Sequence, residues 1–181
     1  MPYHLVKEYS GWHSRKVVDF FVGFSKVVMR RYQHKMKYWM TFNEINNQHN
    51  WQHPLFGYFC PGVIFTEHEK PEETMYQVMH HQFVTSAKLV RLGHARHQSQ
   101  FSDWLYDRHA TDLSLFLPPG RRDAGAEGDA SALCLQRRAD ARRLLSLHAE
   151  RVGYQIQMEA DDAETLRNGC ADYVGFSYYT V

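Results

Sequence analysis

The sequence predicts an α/β chain built from helix-then-strand units, and three observations carry that prediction. Val17, Phe20, Phe21, Phe24, Val27, Val28 and Tyr32 recur at three- and four-residue steps, giving one apolar helical face. An aromatic, β-favouring run follows His34-Lys35-Met36: Lys37-Tyr38-Trp39-Met40-Thr41-Phe42 reads as a buried strand. A second such run, Cys170 to Tyr179, comes at the far end after another helix signal. A helix leading into a strand is the α-to-β half of an α/β unit.

Taken in order, residues 1–11 read as an extended start that ends in a turn at Ser10-Gly11. On the helix that follows, Arg15, Lys16, Lys26, Arg30 and Arg31 supply the wet side. The strand after it stops at Asn43-Glu44, two polar residues. In a parallel α/β barrel a carboxylate at the C-terminal end of a strand faces the common active-site mouth. Taken alone, Glu44 reads equally well as a residue that caps the next loop.

Residues 45–70 read as a long irregular segment carrying Trp51, Phe56, Tyr58, Phe59 and Phe65. A loop of this kind after a barrel strand walls the substrate site. The competing reading packs these rings on the protein's own helices. Pro71-Glu72-Glu73 starts a helix, with proline and acids in the first turn. It is expected to run to about Arg91, with Met75, Met79, Phe83, Ala87 and Val90 inward, and to stop at Gly93.

Beyond about residue 95 the character changes. All seven lysines lie at or before Lys88, and from Leu117 to Gly153 there is no Phe, Tyr or Trp. The run Pro118-Pro119-Gly120-Arg121-Arg122 and the chain after it read as linker or weakly structured, with a short helix through Leu133, Leu135, Leu144, Leu145 and Leu147. No strand is expected between 107 and 153. Order returns near Tyr154; Asp161 with Glu164 makes a capping-box-like start and Gly169 a C-terminal stop.

Composition bounds function. A chain of 181 residues suits one ordinary domain, and 44% hydrophobic residues suffice for a core. A net charge of +1 gives no general argument for nucleic acid or membrane. Cys60, Cys134 and Cys170 are odd in number and widely spaced, which fits a reducing compartment. With no leader-like start and no apolar run of membrane-spanning length, a cytoplasmic protein is expected. The twelve histidines, including His49 with His53, His80-His81 and His94 with His97, lack the convergent, cysteine-assisted spacing of a zinc site. No metal or cofactor is therefore expected. The pairs Arg121-Arg122, Arg137-Arg138 and Arg142-Arg143 lack interleaved aromatics for stacking on bases and read as a solvated segment.

The chain resembles glycoside hydrolase family 1, the β-glucosidase-type TIM barrels, and within it the bacterial 6-phospho-β-glucosidases. The resemblance is carried by Glu8-Tyr9-Ser10-Gly11-Trp12, the helix from Arg15 to Tyr32, and Lys37 through Asn43-Glu44-Ile45-Asn46. It continues in Trp51-Gln52-His53-Pro54, Thr66-Glu67-His68 and the helix at 71–93, and resumes at Asn168-Gly169-Cys170-Ala171-Asp172 through Tyr179. It is close over about 1–94 and 158–181. The segment 95–157 departs from the pattern, and we read it as weakly ordered chain or as the product of two compensating frameshifts.

The resemblance implies a partial (β/α)₈ barrel, from roughly the end of strand three to strand six. It implies that Glu44 is the general acid/base, that Asn43 holds the substrate's 2-hydroxyl, and that Tyr179 orients the nucleophilic carboxylate. It places that nucleophile beyond this chain. Ile45 and Ser177 point to the phospho-glucosidase branch, hence to a phosphorylated β-glucoside as substrate. An opened barrel of this kind leaves strand edges and apolar faces uncovered. A missing barrel half, or self-association, is the partner it calls for, and inactivity is expected of the chain alone.

Overall fold

The structure, a computed structural model, describes residues 1–36, 38–43, 45, 48, 51–67, 70–100, 108–111 and 153–171. The chain opens on helix α1, Tyr3–Tyr9, where an extended segment is expected. The carbonyl of Pro2 accepts the Leu5 amide at 3.0 Å and so starts the first turn. The expectation fails because only Val6 of this helix is buried, and no apolar stripe marks it. The turn at Ser10-Gly11 is present, both residues lying in the left-handed region at φ 52° and 56°. Glycine is required at 11 for a second reason: a Cβ there would meet the Pro61 carbonyl oxygen at 2.2 Å. That same oxygen accepts the Trp12 amide at 2.9 Å, in a short 3₁₀ turn, Gly11–His13.

Helix α2, Arg15–Tyr32, forms where the periodicity places it, but its buried face is turned. Val17, Val18, Ser25 and Met29 are buried, whereas Phe20, Phe24, Val27 and Tyr32 of the expected face are exposed. Arg15, assigned to the wet side, is instead ion-paired to a buried carboxylate. An apolar arc this wide is more than one neighbouring helix covers, and α3 takes only part of it.

Strand β1, Tyr38–Phe42, pairs in parallel with β2, Arg108–Thr111. Their register aligns Tyr38 with Arg108, Trp39 with His109 and Met40 with Ala110, then slips so that Phe42 faces Thr111. The second strand contradicts the expectation of none between 107 and 153. Arg-His-Ala-Thr is short, polar and without alternation, so pairing with β1 rather than intrinsic preference makes it a strand. Parallel neighbours need a crossover, and helix α3, Pro71–Gln100, provides it. The described sheet is therefore one βαβ unit, and the described residues contain these two strands and no closed barrel.

Helix α3 runs through Gly93 rather than stopping there. An interior glycine costs only about 1 kcal/mol, and Ala95 and Arg96 beyond it favour helix. Its core partners are Trp12, Val17, Val18 and Val63 around Met75, Val78 and Val84, with Ile45 against Met79. The expected inner stripe is buried at Met75, Met79, Ala87 and Val90 and half-buried at Phe83. Burial, however, extends all round the helix and takes in Gln77, His80, His81, Gln82, Thr85 and Ser86. His80 and His81 are thus interior residues of the fold.

Helix α4, Asp162–Asn168, lies across α3 and ends at Gly169, whose amide donates to the Thr165 carbonyl at 2.9 Å. The predicted stop is borne out, and glycine also allows close approach: a Cβ there would lie 2.3 Å from the Ala87 carbonyl oxygen. The predicted capping box is not formed, since Asp161 makes no side-chain cap bond. Asp162 accepts the Glu159 amide instead, at 3.0 Å. Of the strand expected over Cys170–Tyr179 only Cys170 and Ala171 are described, outside regular structure. Tyr179 and the leucine-rich segment fall outside the described residues. Among the described residues no helix is long and apolar enough to cross a membrane.

Candidate active site

The C-terminal end of β1 is held by three contacts to α3. Thr41 Oγ1 and Ser86 Oγ share a hydrogen bond at 2.8 Å. Ile45 is fully buried against Met79. Gln48 donates its side-chain amide to Gln82 Oε1, both residues being buried. Asn43 stands exposed between these anchors, on a bend directly after the strand. Its carboxamide offers both donors and an acceptor, which suits a hydroxyl-bearing ligand. Gln48 Oε1 is buried and, among the described residues, has no hydrogen-bond partner.

Of the predicted site residues, Asn43 is therefore placed at the tip of a parallel strand, beside the C-terminal end of β2. Glu44 and Tyr179 lie outside the described residues, as do Ser177 and His49. The loop aromatics divide. Trp51 and Phe65 meet edge to face at 6.1 Å and pack on the core around Trp12, as the competing reading has it. Tyr58 and Phe59 stay exposed on a π-helical turn, Leu55–Phe59.

The same turns of α3 carry a polar knot on their other sides. Asp162, fully buried, receives a bidentate pair from Arg15, with one bond at 2.8 Å, and an N–H from His80 Nε2 at 2.9 Å. Burial works to raise the Asp162 pKa, but the bonds from His80 and Arg15 outweigh it and hold the carboxyl well below the usual range. Arg15, on which burial acts the other way, is pushed up by Asp162. His81 donates from Nδ1 to the Trp12 carbonyl at 2.9 Å and meets Gln77 Nε2 at 2.9 Å. Burial is the main cause that lowers its pKa to about 4, so the ring is neutral. Gln77 further accepts from the Tyr154 hydroxyl at 2.8 Å and from the Gln157 amide at 2.9 Å.

Four successive residues of α3 thus reach three different segments: Met79 and Gln82 the stretch after β1, at Ile45 and Gln48, His80 the start of α4 at Asp162, and His81 the turn at Trp12. Sequence reasoning missed Gln82, Ser86 and the knot. The signal was present: from Thr74 to Ala87 there is no Asp, Glu, Lys or Arg, the mark of a helix with no wet face. Among the described residues the one grouping with metal-ligand proximity is Glu159, Asp161 and Asp162, and Asp162 is already committed to Arg15 and His80.

Residues 1–111, which take in α1 through β2 and Asn43, match the model of glycosyl hydrolase family 1. The chain belongs to that family. The match extends past the residue-94 limit read from the sequence and ends with the last residue of β2. The aryl-phospho-beta-D-glucosidase BglA of Bacillus subtilis (strain 168) is 39% identical over 192 residues, covering 99% of this chain and 38% of that protein. The 6-phospho-beta-glucosidase AscB of Escherichia coli (strain K12) is 34% identical over 185 residues, covering 99% of this chain and 37% of its own length. A plant member, beta-glucosidase 24 of Oryza sativa subsp. japonica, is 24% identical over 206 residues. The chain spans little more than a third of the length of the curated relatives it matches.

Proposed function

We propose that this chain carries the acid/base half of a retaining glycosidase that hydrolyses β-linked 6-phospho-glucosides, and that by itself it does not turn over. One observation supports this most: Asn43 ends a parallel strand, exposed, in a family whose relatives spanning this whole chain include proteins named for phospho-β-glucosides. A barrel active site draws its groups from such strand ends.

A retaining glycosidase needs two carboxyl groups roughly 5–5.5 Å apart. One protonates the leaving oxygen while the other attacks the anomeric carbon. Water then hydrolyses the glycosyl-enzyme, with the first group acting as base. In this reading Glu44 is the group that gives and takes the proton. Asn43 holds the 2-hydroxyl, and Tyr179 orients the nucleophile, which polypeptide outside this sequence supplies. Ile45, pinned against Met79, fixes the backbone immediately after position 44. A phosphorylated sugar is retained inside cells, which makes the cytoplasm the site of action.

Inactivity of the isolated chain follows from a second carboxylate supplied from elsewhere and from the chain's bare apolar surfaces. The test is release of nitrophenol from a nitrophenyl β-glucoside 6-phosphate by the purified chain beside Glu44→Gln. Equal background rates are expected. Turnover that the substitution abolishes would show the chain to be a complete enzyme.

A further inference from the structure

We infer that Gln82 of α3 is a positioning residue for the strand tip that carries the proposed acid/base, an inference that rests on the glycosidase reading above. Met79, Gln82 and Ser86 follow one another at steps of three and four, so they share one face of the helix. That face grips the chain three times. Ser86 holds Thr41, Met79 packs on Ile45, and Gln82 Oε1 accepts the side-chain amide of Gln48. Positions 43 and 44 lie between the first grip and the other two. Both glutamines are interior, Gln82 at 2% exposed and Gln48 at 4%.

Packing alone does not call for glutamines here. Replacing both partners of a buried hydrogen bond by apolar groups of the same shape costs a fold little, whereas removing one strands the other. What the amide pair adds is direction, since a hydrogen bond fixes the separation and angle of its partners. The contact of Ile45 with Met79 is apolar and non-directional; the bond at Gln48, three residues on, sets how the chain leaves the strand. A proton donor needs that precision, because a displacement of about 1 Å at a reacting group costs on the order of 10²-fold in rate. Gln82 thus acts through Gln48 and the backbone rather than on the sugar. Gln77, five residues earlier and also buried, serves the other side of α3, where it bonds to Tyr154 and Gln157.

The test uses a chimaera of Bacillus subtilis BglA that carries this full chain in place of the matched stretch. Gln82→Met is compared with the double variant Gln48→Met/Gln82→Met, which leaves neither amide stranded and regains the wild-type urea midpoint. In both, turnover of an alkyl 6-phospho-glucoside falls about tenfold or more. Turnover of the dinitrophenyl one, which needs little protonation, falls by less than about twofold. Gln77→Met lowers the midpoint and leaves the ratio of the two rates as in the wild type. A ratio unmoved in the double variant, or moved as much by Gln77→Met, would overturn the inference. A wild-type chimaera that cleaves neither substrate removes the glycosidase reading instead. Amide hydrogen exchange over 41–48 in the chain alone then decides for Gln82: it quickens about tenfold or more in the double variant, and unchanged exchange overturns the inference.

Discussion

The two sides of α3 treat polar groups in opposite ways. Facing Arg15 and Asp162, the buried groups are paired: a carboxylate with a bidentate guanidinium and an imidazole N–H, a glutamine with a tyrosine hydroxyl and a backbone amide. Facing the end of β1, one hydroxyl pair and one amide bond hold the backbone, while Asn43 is left exposed and Gln48 Oε1 has no partner among the described residues. Unpaired buried polar groups are expensive, so proteins keep them where a ligand or an ordered water completes them. Helix α3 thus divides the work: one side fixes the fold, and the other presents a strand tip with hydrogen-bonding capacity to spare.

The sharpest break in that comparison is Asp162→Ala. It strands the largely buried Arg15 and is expected to destabilise the chain by about 3–5 kcal/mol, read as a fall in urea midpoint. Acid offers the next. His81 is neutral in the fold, its pKa lowered to about 4, whereas the unfolded chain takes up a proton near 6.5. The stability that neutral His81 secures is whole above pH 6.5 and declines as pH falls to about 4, by roughly 3 kcal/mol. Comparing urea midpoints of wild type and His81→Gln across that window isolates the effect. Asp162, held below its usual range, adds a further loss only as pH falls below about 4.

Smaller effects sharpen the picture. Gly169→Ala drives a Cβ into the Ala87 backbone and is expected to cost about 1–3 kcal/mol. Ser86→Ala removes the bond to Thr41 at a cost of about 0.5–1.5 kcal/mol. If that bond positions the strand tip, then in a chimaera of Bacillus subtilis BglA that carries this chain in place of the matched stretch, the same substitution lowers turnover more than its stability loss explains. Gly169→Ala, on the other side of α3, lowers stability alone.

Much of this was legible in the sequence. The stretch Tyr38–Phe42 announced a strand by composition, Arg15–Tyr32 a helix by period, and Asn43 a strand tip by the change from apolar to polar. What was illegible depends on tertiary context. The rotation of α2 follows from how much of a wide apolar arc α3 covers, which periodicity does not state. Strand β2 exists because β1 offers it a register. The continuation of α3 through Gly93 reflects the small cost of one interior glycine against a helix already held on all sides. The polar knot is legible only once the absence of charge between Thr74 and Ala87 is read as burial rather than as an accident of composition.

The central claim is that the side chain at position 44 protonates the departing sugar oxygen, and leaving-group dependence in the chimaera tests it most directly. An aglycone that leaves readily, such as dinitrophenol, needs little help from an acid, whereas a simple alcohol needs it fully. Glu44→Gln is predicted to slow the alkyl 6-phospho-glucoside by about 10²–10⁴-fold and the dinitrophenyl one far less. An equal loss on both substrates, or none on either, would contradict the account.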